Sequence, residues 1–310
     1  MEDIQNRVEE LAFLNHFNLL AHQIVEGFIS GIHKSPFHGF SSEFAEHKIY
    51  NQGESTKNID WKVYAKTDKF FVKTYEDETN LRCQVLVDNS SSMHYPNLTK
   101  TSQFPGNKIQ YAALTAAALL KIIKKQRDAA GLTIFSDKID FSMKEQGNER
   151  HHRQLIEQLN KICFYKPQLA TTKLSDILHQ IAEKTHKRSL IVLFTDLLHT
   201  NTNLQELIQA LQHLKHNKHK VIVFHVVDQK TELELDFTNQ SKKFIDLETG
   251  EEIEIHTEHV KEIYKQNIKS YWEKISQMLT QYQIEYHLLD INQNIEKSLT
   301  QYLTERQKFK

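Results

Sequence analysis

Cysteine is nearly missing from this chain of 310 residues: there are two, Cys83 and Cys163, far apart in sequence. That spacing offers no disulfide framework and no paired metal-ligand motif, so both read as free thiols of a reducing compartment. An excess of either charge is missing too. Lys and Arg number 39 against 40 Asp and Glu, a formal net charge of -1, so no global field draws the chain to nucleic acid, an anionic membrane or an acidic substrate. No window reaches the roughly 18 uninterrupted apolar residues of a membrane-spanning helix. The N-terminus, MEDIQNRVEELAFLNHFNLLAHQIVEGF, carries acids where a secretory signal has a basic start, and is expected to form an amphipathic helix. A soluble, cytoplasmic protein is the expectation.

Several catalytic signatures are absent as well. There is no G-x-x-x-x-G-K-[ST], so the chain is not itself a P-loop ATPase, and no G-x-G-x-x-G for a dinucleotide. Ser91 and Ser92 lack the flanking glycines of a nucleophile elbow. An aspartyl phosphotransferase would need a second acid two residues after Asp88, and Ser90 stands there.

What is present is alternation. From Arg82 onward, short β-branched or aromatic runs, CQVLVD (83–88), GLTIFS (131–136), SLIVLFTD (189–196), KVIVFHVVD (220–228) and IEYHLLD (284–290), are separated by helical patterns at 107–126, 172–185, 203–215, 259–282 and 294–307. This predicts βαβ units and a mainly parallel sheet covered by helices on both faces. The strands are nearly continuously apolar, without polar alternation, as strands buried on both sides are. Residues 138–143 read as an antiparallel edge strand, and 231–255 as short strands or loops. The chain divides into an N-terminal helix and aromatic-rich lobe, 1–81, expected to pack on a main domain, 82–310. The lobe's Trp61, Tyr64, Phe70, Phe71 and Tyr75 are interleaved with acids, which favours packing over base stacking.

Open doubly wound sheets hold ligands at the carboxyl ends of their strands. One such end reads LVDNSSSM. In D-x-S-x-S, Asp88, Ser90 and Ser92 can turn one carboxylate and two hydroxyls to a common centre, about half the oxygen shell of a hard divalent cation. Alone, such serines serve equally well as a turn or helix cap. Two other strand-end segments each add an oxygen: Thr172, just before a helix, and Asp196 in LIVLFTDLL. With Asp88 and Asp196 as the only acids the charge of a dication is balanced, and a position stays open for a partner's carboxylate or a phosphate.

The turn resembles the metal-ion-dependent adhesion site of von Willebrand factor A domains, D-x-S-x-S with a later Thr and a later Asp. More broadly, the chain from about Gly31 to Arg306 resembles the bacterial family called domain of unknown function 58, which carries a von Willebrand factor A-like module. The stretch GIHKSPFHGFSSEFAEHKIYNQGESTKNIDWKVYAK matches the family's N-terminal pattern at Gly39, Glu43, Phe44, Tyr50, Gly53, Ile59, Asp60 and Trp61. Lys48 stands where Arg is common and Glu54 where Asp is common. QRDAAGLTIFS, FIDLETG and YLTERQ add to the match. The resemblance implies an α/β, Rossmann-like (von Willebrand factor A-like) fold with Mg2+, or in its place Mn2+ or Ca2+, held by Asp88, Ser90, Ser92, Thr172 and Asp196. It also implies a protein partner, a MoxR-type AAA+ ATPase, supplying an acidic residue to the metal.

The expectation is therefore a Mg2+-dependent protein-binding module and not an enzyme, the other reading being a metal-dependent phosphoester hydrolase at the same site. Zinc at His213, His216 and His219 is disfavoured by Lys215, Lys218 and Lys220 around them.

Overall fold

A computed structural model describes residues 14–26, 44–50, 59–75, 81–97, 104–164, 173–198, 204–235, 241–247 and 250–308. The chain forms two compact units, Phe37–Leu81 and the combination of Met1–Pro36 with Arg82–Lys310. Within the larger unit, helix α1 (residues 14–26) is amphipathic as expected. Its Phe17, Ala21 and Val25, spaced by four, are buried, and Phe17 meets the ring of Phe104 edge-on.

In the smaller unit, strand β1 (Phe44–Ile49) pairs antiparallel with β2 (Phe71–Tyr75). The I-D-W stretch has a local mechanical role there. Ile59 bridges to Val72, and Asp60 caps helix α2 (Trp61–Thr67) by accepting from the backbone N–H of Lys62 at 2.9 Å and Val63 at 3.3 Å. Tyr64 and Phe70 stack with centroids 4.4 Å apart, and Trp61 sits edge-on to both.

The larger unit is built on a six-stranded sheet. In chain order its elements are β3 (Arg82–Asp88), α3 (Lys108–Lys125), β4 (Ala129–Phe135), β5 (Ile139–Gln146), α4 (Glu149–Ile162), α5 (Leu174–Lys184), β6 (Leu190–Thr195), α6 (Leu204–His216), β7 (Lys220–Val227), the hairpin β8 (Ser241–Ile245) with β9 (Glu252–His256), α7 (Thr257–Gln281), β10 (Glu285–Asp290) and α8 (Ile295–Lys308). The spatial order is β10-β7-β6-β3-β4-β5. Every pairing is parallel except β4 with β5. The antiparallel edge is the one expected near 138–143, and its burial alternates residue by residue as an edge strand's does. Strand order reverses between β3 and β6, which makes their carboxyl ends the switch point of a doubly wound sheet.

Alternate residues of each strand feed two cores. Leu86, Ile191, Leu193, Val221 and Val223 pack with α5, α6 and the buried Ile275 and Leu279 of α7. On the opposite face Phe194 stacks on Phe224 at 5.0 Å, and Phe224 meets Tyr302 of α8 edge-on. Helix α3 runs against β3 and β4 with α4 and α8 beside it. Fifteen of its 18 residues are buried, as a helix apolar all round must be. Helix α4 falls on a stretch for which the alternation predicts no element. Its four buried apolar residues, Leu155, Ile156, Leu159 and Ile162, are diluted by ERHHR, which hides the stripe. Among the described residues, no helix is long and apolar enough to cross a membrane.

Gly131 lies where β4 faces Gln84 of β3 and β5 bulges. A Cβ there would stand 2.0 Å from Gln84 Oε1 and 2.7 Å from the Met143 carbonyl. Gly131→Ala is therefore expected to lower stability by about 1–3 kcal/mol, read as a lower urea midpoint with an unchanged slope.

His152 and His219 are both buried, and burial holds each below its ordinary pKa of 6.5. His219 Nδ1 accepts from the Ser189 N–H at 3.2 Å, so it is neutral as packed. The unfolded chain then binds more protons below about pH 6.5, and folding stability present above that pH is lost as pH falls. The thermal midpoint should drop between about pH 7.5 and about pH 5.5. That drop should shrink in His219→Asn, which keeps an acceptor for Ser189.

Candidate functional site

Strand β3 is paired on both sides, and the Asn89 N–H extends its ladder to the Phe135 carbonyl at 2.7 Å. This rigid end presents Asp88, which is fully buried. Its Oδ1 accepts from the Ser90 N–H at 2.9 Å, closing an Asx turn. Its Oδ2 accepts from the Thr195 hydroxyl at 2.8 Å, tying the end of β3 to the end of β6 across the switch point.

The turn brings Ser90 Oγ and Ser92 Oγ to 3.0 Å from each other. A short 3-10 turn follows, Ser91–His94. It is fastened to the start of α3 by the Lys108 N–H, which donates to the Tyr95 carbonyl at 3.0 Å, and by Asn107 Nδ2, which donates to the His94 carbonyl at 3.3 Å. His94 Nε2 also meets Asn89 Oδ1 at 3.0 Å. Asn89 thus shapes the turn from its other side.

Asp196 is adjacent to Thr195 and also fully buried. Its Oδ1 accepts from the Leu198 N–H at 3.1 Å, and its Oδ2 from the ammonium of Lys108 at 2.8 Å. Its carbonyl is held by His225 Nε2 at 2.7 Å. A carbonyl only accepts, so Nε2 carries the proton, leaving Nδ1 toward the Tyr286 hydroxyl. Lys108 makes a second ion pair with Glu232 Oε1. Burial alone would pull the Lys108 pKa down, but Asp196 and Glu232 outweigh it and raise it above the lysine range. Glu232 comes from the π-helical turn Gln229–Leu233 after β7. Its Oε2 accepts from the Asp228 N–H at 2.8 Å, and burial pushes its pKa up.

Of the five residues expected around the ion, four are described. Asp88, Ser90 and Ser92 share one turn, and Asp196 stands on the neighbouring strand end beside the residue that grips Asp88. Thr172 lies outside the described residues. Sequence reasoning missed Lys108 and Glu232. One signal was available for Lys108: a cation as the first residue of an apolar helix opposes the helix dipole. Glu232 carried none. The three histidines of the disfavoured zinc reading do not converge: His213 Nδ1 meets His179 Nδ1 at 3.0 Å, while His219 serves Ser189.

The donor set suits a hard cation. The Ser90 and Ser92 hydroxyls are hydrogen-bonded to each other at 3.0 Å, a spacing that adjacent oxygens around a metal at about 2.1 Å in octahedral array would also have. Among the described residues no three His, Cys, Asp or Glu side chains form a group that could hold a metal ion; the Asp88 turn offers one carboxylate and two hydroxyls.

Strand order and site geometry together define a Rossmann-like, von Willebrand factor A-like α/β domain with an oxygen-rich turn at its switch point. The chain belongs to the family described as "Protein of unknown function DUF58", matched over residues 46–273. Among solved structures it is similar to the conserved hypothetical protein BatB from Bacteroides thetaiotaomicron, at 16% identity and a TM-score of 0.44, over 74% of this chain and 99% of that one. An aerotolerance-related membrane protein from Bacteroides fragilis NCTC 9343 is similar at 15% identity and a TM-score of 0.44, over 73% and 99%. A von Willebrand factor type A protein from Catenulispora acidiphila is similar at 12% identity and a TM-score of 0.35, over 50% and 35%. These likenesses are faint, and the fold assignment rests on the chain's own strand order. No curated protein sequence matches the chain.

The bridge between strand ends can be tested on the metal-free protein. Thr195→Val removes the hydroxyl that Asp88 accepts and is expected to cost about 1.5–3 kcal/mol, as for a hydrogen bond to a buried charge. In an Asp88→Ala background the same substitution should cost much less. A double-mutant cycle in urea reads that coupling.

Proposed function

We propose that the chain is a Mg2+-dependent protein-binding module whose contact point is the Asp88 turn. The observation that carries the reading is the donor set at the switch point of the sheet, the buried Asp88 carboxylate with the Ser90 and Ser92 hydroxyls, which are hydrogen-bonded to each other at 3.0 Å. Asp88, Ser90 and Ser92 would hold the ion, with Thr172 and Asp196 acting directly or through water. Bound Mg2+ would supply a point charge able to take a partner's carboxylate oxygen in place of water, with Mn2+ or Ca2+ able to substitute.

Binding is favoured over phosphoester hydrolysis by the engagement of the nearby acids. Asp228 accepts from Asn292 Nδ2 and the Thr231 hydroxyl, each at 2.7 Å. Asp137 accepts from the Ser136 hydroxyl at 3.3 Å. A second metal for two-metal hydrolysis would need carboxylates that already have other work. The resemblance of the family points to a MoxR-type AAA+ ATPase as the partner, contributing an acidic side chain.

An affinity pull-down with purified chain as bait, in Mg2+ and in EDTA, tests the reading. The partner should be retained in Mg2+ and lost in EDTA. Retention should also fall about tenfold or more in the double variant Ser90→Ala/Ser92→Ala, a loss of about 1.4 kcal/mol or more. That double variant leaves the Asp88 bridge to Thr195 in place, so it separates lost binding from lost folding. Equal retention in EDTA removes the proposal, and phosphoester turnover that vanishes in Asp196→Ala would favour the hydrolase.

A further inference from the structure

A cation in a metal centre's acid set needs a reason. Lys108 is fully buried, and it stands at the first position of α3, where the aligned peptide dipoles already place partial positive charge. Burying an unpaired ammonium there would be strongly unfavourable. Two carboxylates from distant parts of the chain offset it, Asp196 at 2.8 Å and Glu232.

The second carboxylate is itself held in position. The π-helical turn Gln229–Leu233 is closed by the Glu234 N–H donating to the Gln229 carbonyl at 3.0 Å, and the Glu232 N–H donates to the Asp228 carbonyl at 2.8 Å. The side chain folds back, so that one oxygen takes the Asp228 N–H and the other takes Lys108. π-Helical turns are rare and concentrate at functional sites.

We propose that Lys108 is a tethered internal cation that competes with the divalent ion for Asp196 and thereby sets how tightly the Asp88 turn holds metal. While the ammonium pairs with Asp196, that carboxylate has less negative charge to offer the ion. The metal is then held weakly and keeps more of its positive charge for an acidic partner. Glu232 gives the ammonium a second anion to rest on when Asp196 turns to the ion. This rests on the metal reading of the Asp88 turn and adds to it a regulating residue.

The test is Mg2+ titration of the full chain, read by calorimetry and by the Mg2+-dependent rise of the thermal midpoint. Lys108→Met is expected to lower the apparent Mg2+ Kd by about tenfold or more, because a like charge leaves and Asp196 is released. That variant leaves two buried acids without their cation and could unfold. The double variant Lys108→Met/Glu232→Gln removes one positive and one negative charge, keeps the sum over Lys108, Asp196 and Glu232 unchanged, and should show the same tightening.

Weaker or unchanged Mg2+ binding in the double variant overturns the inference. The metal reading is judged separately, by whether wild type binds Mg2+ and Asp88→Ala does not. If wild type binds none while the double variant does, Lys108 is upheld as the competitor. If neither binds, the inference falls with the site.

Discussion

A carboxylate with no access to water must have its lone pairs met from inside the protein, and the larger unit is arranged around one such group. Asp88 is fully buried at the end of β3, one of three strands with parallel partners on both sides. Its two oxygens are met by its own turn and by the next strand, through the Ser90 N–H and the Thr195 hydroxyl. The first contact sets the path of the chain beyond the strand and so brings the serine oxygens together. The second fixes β6 against β3 at the place where the strand order reverses. Register, turn shape and site geometry follow from satisfying one charge.

The neighbouring charge is handled differently. Asp196 lies one residue beyond Thr195, and its counter-charge comes from a helix terminus, not from the sheet. Three ionic groups, two acids and one base, meet in the interior. Buried ion pairs seldom add net stability over apolar packing. A cluster of this kind at a strand end is better explained by what it does to nearby charge than by what it adds to folding.

How much of this was readable in advance follows from sequence separation. β3, β6 and β7 were legible as near-continuous apolar runs because strands covered on both faces carry no polar alternation. The Asp88 turn was legible because its three oxygen donors lie within five residues. Helix α4 was not, since His and Arg crowd its first turns and both of its histidines, His151 and His152, are themselves buried. His151 reaches the Ala130 carbonyl at 2.8 Å, a use of a polar residue that periodicity reads as surface. The Lys108 cluster was illegible for a different reason: its partners stand 88 and 124 residues away, and only the folded sheet brings them together.

A one-residue step decides which of these two environments a side chain enters. Successive residues leave a strand on opposite sides, and at the end of β6 that geometry sends the Thr195 hydroxyl across to β3 and the Asp196 carboxylate toward α3. One strand end thus anchors the turn that carries the serines and also holds the cation beside it. His225 fastens the Asp196 carbonyl from β7, so the split is braced from the far side as well. The Lys108–Asp196 pair and the Asp88–Thr195 bridge therefore meet the backbone of β6 at adjacent residues, 195 and 196. The two acids are joined through covalent neighbours, whether or not their side chains touch.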